Sequence, residues 1–322
     1  MQNMPVIETQ ELTKQFDDSI AVDRVNLTVN AGEIYGLIGP NGAGKTTLIR
    51  MLATAEEPTA GTIAICDRPL SLDRPDPEIQ RQLGFLPDDF PLYDDLNVVD
   101  YLEYFSQLYY LEEPALTQRI NEVLELVSLE NKRASLISTL SRGMKQRLSL
   151  ARTIIYRPTL LLLDEPVSGL DPIARVEYRE TIKTLQRQGM TIFISSHILS
   201  DLEDFCTSIG IMERGRLVES SQLQALYDRD RDDREIIIAA LASVENLQLA
   251  VEASSLVTNC QILPTTKSRK AAKISIGFTG TDEEAAQLLR SLIEQGLPIT
   301  EFSPVRENLE EIFLKLGYRK TA

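Results

Sequence analysis

Gly39-Pro40-Asn41-Gly42-Ala43-Gly44-Lys45-Thr46-Thr47 is the stretch on which the reading of this chain turns. It matches G-x-x-x-x-G-K-T, a loop that cradles phosphates between a strand and a helix. Both flanks fit. Residues 34–38, Ile-Tyr-Gly-Leu-Ile, predict a buried strand, and Thr47 to Leu52 predict a helix. A polyphosphate concentrates negative charge and needs many donors in a small space. Glycines at 39, 42 and 44 let backbone N–H groups turn inward where a Cβ would collide, and a helix N-terminus adds partial positive charge. Asn41 and Thr47 complete the lining. Lys45 is placed to reach the β- and γ-phosphates and the Thr46 hydroxyl to meet Mg²⁺. A plain Gly-rich turn does not require this eight-residue pattern in this setting.

The whole chain narrows the class. At 322 residues it is expected to hold one large domain and a smaller one. Apolar residues make up 43%, enough for real cores, and the net charge of −15 argues against nucleic acid as a broad partner. Cys66, Cys206 and Cys260 are far apart and in no metal-ligand spacing, which fits reduced thiols used in packing. No signal-peptide pattern opens the chain and no apolar run is long enough for a bilayer, so a protein without its own transmembrane segment is expected.

Periodicity predicts the order of elements. Strand-like segments 6–10, 12–16 and 21–29 precede the loop, and 62–65 follows it. Residues 67–77 read as a loop and 83–87 as a short strand ending at proline. Asn97 is a helix cap for a stripe through Val98, Tyr101, Leu102, Phe105, Leu108 and Tyr109, and 120–129 reads as a second helix. A helix from about Leu140 to Tyr156, the apolar strand Leu160–Leu163, a helix over 174–188 closed by Gly189, a strand over 190–195 and a helix over 199–206 come next. A hairpin around Arg214-Gly215 follows. Residues 228–235 are all charged and predict a linker. Beyond them, strands at 236–241, 256–263, 273–278 and 299–304 and helices at 281–295 and 307–316 predict a small α+β domain without a chemical motif. The expected division is 1–227, with a helical part over about 88–157, then the linker 228–235, then 236–322.

Chemistry gathers at strand ends. Asp164 follows the four leucines, where a metal-anchoring carboxylate belongs, and Glu165 comes next, where it can polarise a water beside a γ-phosphate. His197, the single histidine, follows the next buried strand on the edge where α/β proteins bind ligands. Phe16 is either a face for a purine base or a core side chain; composition favours neither. Ser141, at a helix start beside Gly143, offers a second anion site.

The phosphate loop, Leu140–Gln146, Leu160–Glu165, Ser168–Asp171 and His197 occur in the order found in ATP-binding cassette (ABC) transporter ATPases, and the chain resembles that family over residues 4–226. Leu-Ser-Arg-Gly-Met-Lys-Gln resembles its signature Leu-Ser-Gly-Gly-Gln. The resemblance implies a P-loop NTPase core with an antiparallel β subdomain and a helical subdomain. It further implies a head-to-tail homodimer that sandwiches two ATP molecules between one subunit's phosphate loop and the other's signature. Carried over by position, Phe16 stacks on adenine, Glu165 is the general base, His197 contacts the γ-phosphate and Asp171 communicates across the dimer. The implied work is ATP hydrolysis, with Mg²⁺, that drives a membrane-spanning permease on a separate chain from the cytoplasmic face of the membrane.

Three positions depart from the family pattern. Asp88 stands where glutamine is usual, as a third candidate metal ligand beside Thr46 and Asp164, and in the signature Arg142 replaces the first glycine and Met144 the glutamine. With the C-terminal Asn308-Leu309-Glu310-Glu311-Ile312-Phe313, these resemble exporter ATPases of the drug-resistance, sodium-extrusion and gliding-associated kind. The alternative, an ABC ATPase acting on ribosomes or nucleic acid, usually has two cassettes or a long coiled-coil insert, and neither is present. Residues 82–118 contain eight acidic and eight aromatic residues and no Lys, Arg or His. This stretch is expected to dock basic loops of the membrane partner, with Phe90 and Tyr93 as anchors and Asp94 and Asp95 at the rim.

Overall fold

The computed structural model describes residues 4–71, 76–89, 91–228, 234–264 and 272–305. Phe90, the segment 307–316 and most of the charged run 228–235 lie outside them. The chain divides into two compact units, Met1–Leu223 and Gln224–Ala322. Asp228 closes a helix, and Arg234 and Glu235 already belong to a strand, so the charged run is shorter as a connection than its composition predicts.

The first unit begins with β1 (Pro5–Phe16), β2 (Ser19–Asn30), β3 (Ile34–Ile38), α1 (Lys45–Leu52), β4 (Ala60–Ile65) and β5 (Arg68–Pro69). It continues with α2 (Pro77–Gln82), β6 (Leu83–Leu86), α3 (Val98–Leu108), α4 (Ala115–Leu126) and α5 (Arg142–Ile154). β7 (Leu160–Leu163), α6 (Pro172–Arg187), β8 (Thr191–Ser196), β9 (Ser208–Glu213) and β10 (Arg216–Gln222) complete it. The two strands expected before Phe16 are one strand. Its register shifts between Thr9 and Leu12, around a positive φ at Glu11.

Two sheets result. An antiparallel sheet runs β2-β1-β4-β5, and a mainly parallel one runs β10-β9-β3-β8-β7-β6. β3, β7 and β8 are buried along their whole length, as strands covered on both faces must be, which is why they read as continuous apolar runs. Their shared direction sends the ends of β3, β6, β7 and β8 to one edge of the sheet.

The helical layer differs from expectation in detail. Asn97 caps α3 by accepting from the Asp100 N–H. Val98, Tyr101 and Leu102 are buried, whereas Leu108 and Tyr109 are exposed, so the stripe buries only its N-terminal part. α4 starts before Ile120 and ends at Leu126, though Val127 and Leu129 stay buried. α2 fills the gap between the expected loop 67–77 and the strand at Leu83, where no element was expected, and is signalled by the Asp76 cap and Pro77 at its first turn. The helix expected over 199–206 is a single 3₁₀ turn, Leu199–Asp201, followed by hydrogen-bonded turns through Cys206.

The second unit contains α7 (Leu223–Asp228), β11 (Arg234–Ala240), α8 (Val244–Glu252), β12 (Val257–Ile262), β13 (Ala272–Phe278), α9 (Asp282–Glu294) and β14 (Ile299–Pro304). Its antiparallel sheet has the order β12-β13-β11-β14, a β-α-β-β-α-β arrangement. Alternate residues Ile236, Ile238, Ile274, Ile276 and Phe278 form one core with Leu247, Val251, Leu288 and Leu292 of the helices. α8 carries a short apolar stripe through Val244, Leu247 and Val251, and Ser243 caps it by accepting from the Asn246 N–H.

Candidate functional site at the carboxyl edge of the parallel sheet

β3 leads into the loop 39–44 and α1. Gly42 has φ 79° and Gly44 has φ 102°, a region that L side chains rarely enter. A Cβ on Gly44 would lie 2.2 Å from the Ala21 carbonyl oxygen, so glycine is required there by space as well as by dihedral. The loop therefore folds as its spacing predicts, with Lys45 the first residue of α1 and Gly44 its cap.

The Lys45 ammonium is buried, with 5% of its surface exposed. It donates to the Gly39 carbonyl at 2.7 Å and the Pro40 carbonyl at 3.3 Å, and lies 3.3 Å from Glu165 Oε1. Glu165 Oε2 lies 2.6 Å from His197 Nδ1 and also accepts from the His197 backbone N–H. Carboxylates only accept, so the Nδ1–H tautomer follows from this partner. Glu165 has φ 47°, an uncommon conformation outside glycine and one found at functional sites.

Asp164 is 1% exposed. The Ser195 hydroxyl donates to it at 2.7 Å and accepts from the Glu165 N–H at 2.9 Å. Ser195 thus fixes both carboxylate residues from the neighbouring strand β8. Motif reading misses it, because a serine near a strand end carries no signal of its own.

A cleft of about 520 Å³ runs over this edge, lined by Asn41, Gly42, Gly44, Lys45, Thr46 and Thr47 on one side and by Asp88, Glu165 and His197 on the other. Phe16 and Ala21 stand at its margin. Phe16 is exposed, with the Lys14 ammonium 4.8 Å from its ring centre, so it is no core side chain. Asp88 is open to solvent. Its carboxyl is nonetheless pushed above the usual range, first by partial burial and then by the negative charges of Asp164 and Glu165, with Arg142 opposing.

Ser141, Gly143 and Asp171 do not line this cleft. Ser141 caps α5 through the Met144 N–H, and Asp171 caps α6 through the N–H groups of Ile173 and Ala174. A Cβ on Gly143 would lie 2.9 Å from that of Ala174, so close approach of α5 and α6 explains this glycine within the chain. Arg142 donates to the Ser168 carbonyl and covers Gly169.

The acidic stretch is partly answered from within. Asp94 pairs with Lys145 of α5 at 2.9 Å, which corrects the picture of eight acids without a cation. Tyr93, Tyr101, Tyr104 and Phe105 form one ring cluster, with the Arg152 guanidinium 5.1 Å from the Phe105 centre. Tyr93 and Tyr104 keep about half their surface exposed.

The sequence matches the ABC transporter family model over residues 22–168. It is 33% identical to the bacitracin transport ATP-binding protein BcrA of Enterococcus faecalis, over 97% of this chain and 96% of that one. The chain belongs to the ABC transporter ATPase family. This ABC ATPase is also 38% identical to the Nod factor export ATP-binding protein I of Burkholderia lata, over 70% of this chain and 75% of that one. A dimeric ATP-binding cassette solved in a post-hydrolysis state with ADP and Pi is similar in structure, with a TM-score of 0.61 and 25% identity, over 67% of this chain and 98% of that one. The ABC ATPase is thus a nucleotide-binding, ATP-hydrolysing subunit of the class that includes these transport and export ATP-binding proteins. Among the described residues no helix is long and apolar enough to cross a membrane.

Proposed function

We propose that this ABC ATPase powers export through a membrane protein at whose cytoplasmic face it sits, by closing head-to-tail on two ATP molecules and opening after hydrolysis. The observation that carries the reading is the joining of Lys45, Glu165 and His197 in one chain of contacts beside the phosphate loop. Glycine N–H groups and Lys45 take the phosphates, and Phe16 offers its exposed face to adenine. Glu165 accepts a proton from the attacking water as the new P–O bond forms, and the γ-phosphate leaves the β-phosphate oxygen. His197 holds the γ-phosphate and, through Nδ1, the orientation of Glu165. Lys45 lies 3.3 Å from Glu165 Oε1, and phosphates that draw the ammonium toward the loop leave that carboxylate oxygen open for water.

Mg²⁺ fits the residues present. Among the described residues no three His, Cys, Asp or Glu side chains are placed to hold a metal. Mg²⁺ does not need them, because it takes one or two carboxylates and fills its shell with phosphate oxygens and water. The surplus negative charge that raises Asp88 favours a cation at this edge. Thr46, Asp164 and Asp88 would hold it, and its chemistry there is neutralisation of phosphate charge.

Ser141, Gly143 and Asp171 face the second subunit in this reading, which accounts for their absence from the cleft around Lys45. The helical subdomain, with Tyr93, Tyr104 and Asp95 exposed, is the docking face for the permease. The cassette spans residues 1–227, and an accessory domain lies beyond the charged run. Co-expression with a candidate membrane-spanning partner tests the function: recovery of that protein in detergent, with transport dependent on ATP, supports the reading. Recovery of nucleic acid or ribosomes instead would reject it.

A further inference from the structure

We propose that Asp201 is a positioning residue that couples the loop ending at Asp171 to His197. Its carboxylate is buried at 2% exposure, in the 3₁₀ turn that begins two residues after the histidine. Two arginines from α6 converge on one oxygen: Arg175 Nη1 at 2.9 Å and Arg179 Nη2 at 3.2 Å from Asp201 Oδ1. Arg175 also reaches back to the Leu170 carbonyl at 3.4 Å, and its backbone N–H bonds to the Asp171 carbonyl. On the other side the Asp201 N–H bonds to the Ile198 carbonyl, and the Ile198 N–H to the Ser196 hydroxyl. His197 lies inside that turn and contacts Glu165 through both its backbone N–H and Nδ1.

The result is one run of polar contacts from the Leu170–Asp171 loop through Arg175 and Asp201 to Ile198 and Ser196, the backbone neighbours of His197. Stability alone is a poor reason for it. A buried ion pair gains little over apolar packing, and the Nε atoms of Arg175 and Arg179 are buried without hydrogen-bond partners. What such a pair supplies is fixed geometry between elements that could otherwise slide. In the proposed dimer the Leu170–Asp171 loop is where the second subunit arrives. Displacement of that loop is passed through the α6 arginines to Asp201, and so to the histidine. The inference rests on the proposed reading of His197 as a γ-phosphate contact.

The test is a double-mutant cycle on the full chain, with Mg-ATP and single turnovers in enzyme excess so that slow variants remain measurable. Asp201→Asn should lower the hydrolysis rate about tenfold and leave the ATP concentration for half-maximal rate within about twofold. On a His197→Ala background the same change should have no further effect, because its route runs through that side chain. Arg175→Gln, partly exposed and leaving Arg179 on Asp201, serves if Asp201→Asn does not fold. It should show a smaller loss with the same dependence on His197. Equal losses with and without His197, or wild-type rates for both Asp201→Asn and Arg175→Gln, would overturn the coupling. Full activity of His197→Ala alone would instead reject the reading of His197 on which the coupling stands.

Discussion

Glu165 and His197 meet through a 2.6 Å contact between a carboxylate oxygen and the imidazole Nδ1, while the other carboxylate oxygen faces the buried ammonium of Lys45 at 3.3 Å. Three residues from three strand ends thereby share one charge arrangement. Each can be removed separately, and the consequences differ.

Lys45→Ala removes a buried cation that two loop carbonyls hold toward the cleft. A charge-assisted contact to phosphate contributes about 1.5–3 kcal/mol. Titration calorimetry should therefore show ATP binding weakened by about ten- to a hundredfold, with the fold retained. Unchanged ATP affinity would place the phosphates elsewhere.

Asp88→Gln exchanges a charge for a neutral amide where glutamine is usual in the family. The variant should keep hydrolysing ATP and need more Mg²⁺ for half-maximal rate, because a carboxylate holds Mg²⁺ better than an amide. The sign of its pH dependence follows from the raised carboxyl. As pH falls, wild-type Asp88 takes up a proton sooner than an ordinary carboxylate, so its Mg²⁺ requirement rises. The Asp88→Gln requirement stays flat over that range. Matching Mg²⁺ titrations for the two proteins at each pH would mean that Asp88 does not meet the metal.

Asp95→Lys tests the docking face. Asp94 and Asp95 are both exposed, but Asp94 is paired with Lys145. The change should leave ATP hydrolysis by the isolated subunit within about twofold and weaken co-purification with the membrane partner. Wild-type assembly should also loosen as salt rises, since surface charge pairs are screened. Salt-independent assembly, with the variant fully retained, would remove this charge from the interface.

What was readable from residues depended on whether the cause was local. The phosphate loop needs positive φ at Gly42 and Gly44 and a helix behind it, all within one short stretch, and it folds as read. The buried strands were legible because burial on both faces forces unbroken apolar runs. Ser195 was not legible, because its role comes from lying beside Asp164 across a sheet. Nor was Lys145 opposite Asp94, which answers part of the acidic stretch from another helix. The 199–206 segment has apolar residues at helical spacing, yet continuous helix stops after one turn. There Asp201 is drawn to Arg175 and Arg179 of α6, an interaction that local periodicity does not contain.

The most direct measurement is gel filtration of Glu165→Gln with and without Mg-ATP, beside a hydrolysis assay. Glutamine keeps size and hydrogen bonding and removes the base. The account predicts that the variant binds ATP, elutes as a dimer only with nucleotide and releases almost no phosphate, while the wild type passes through the dimer too briefly to accumulate it. Phosphate release at the wild-type rate, or a variant that binds ATP and stays monomeric, would contradict the account.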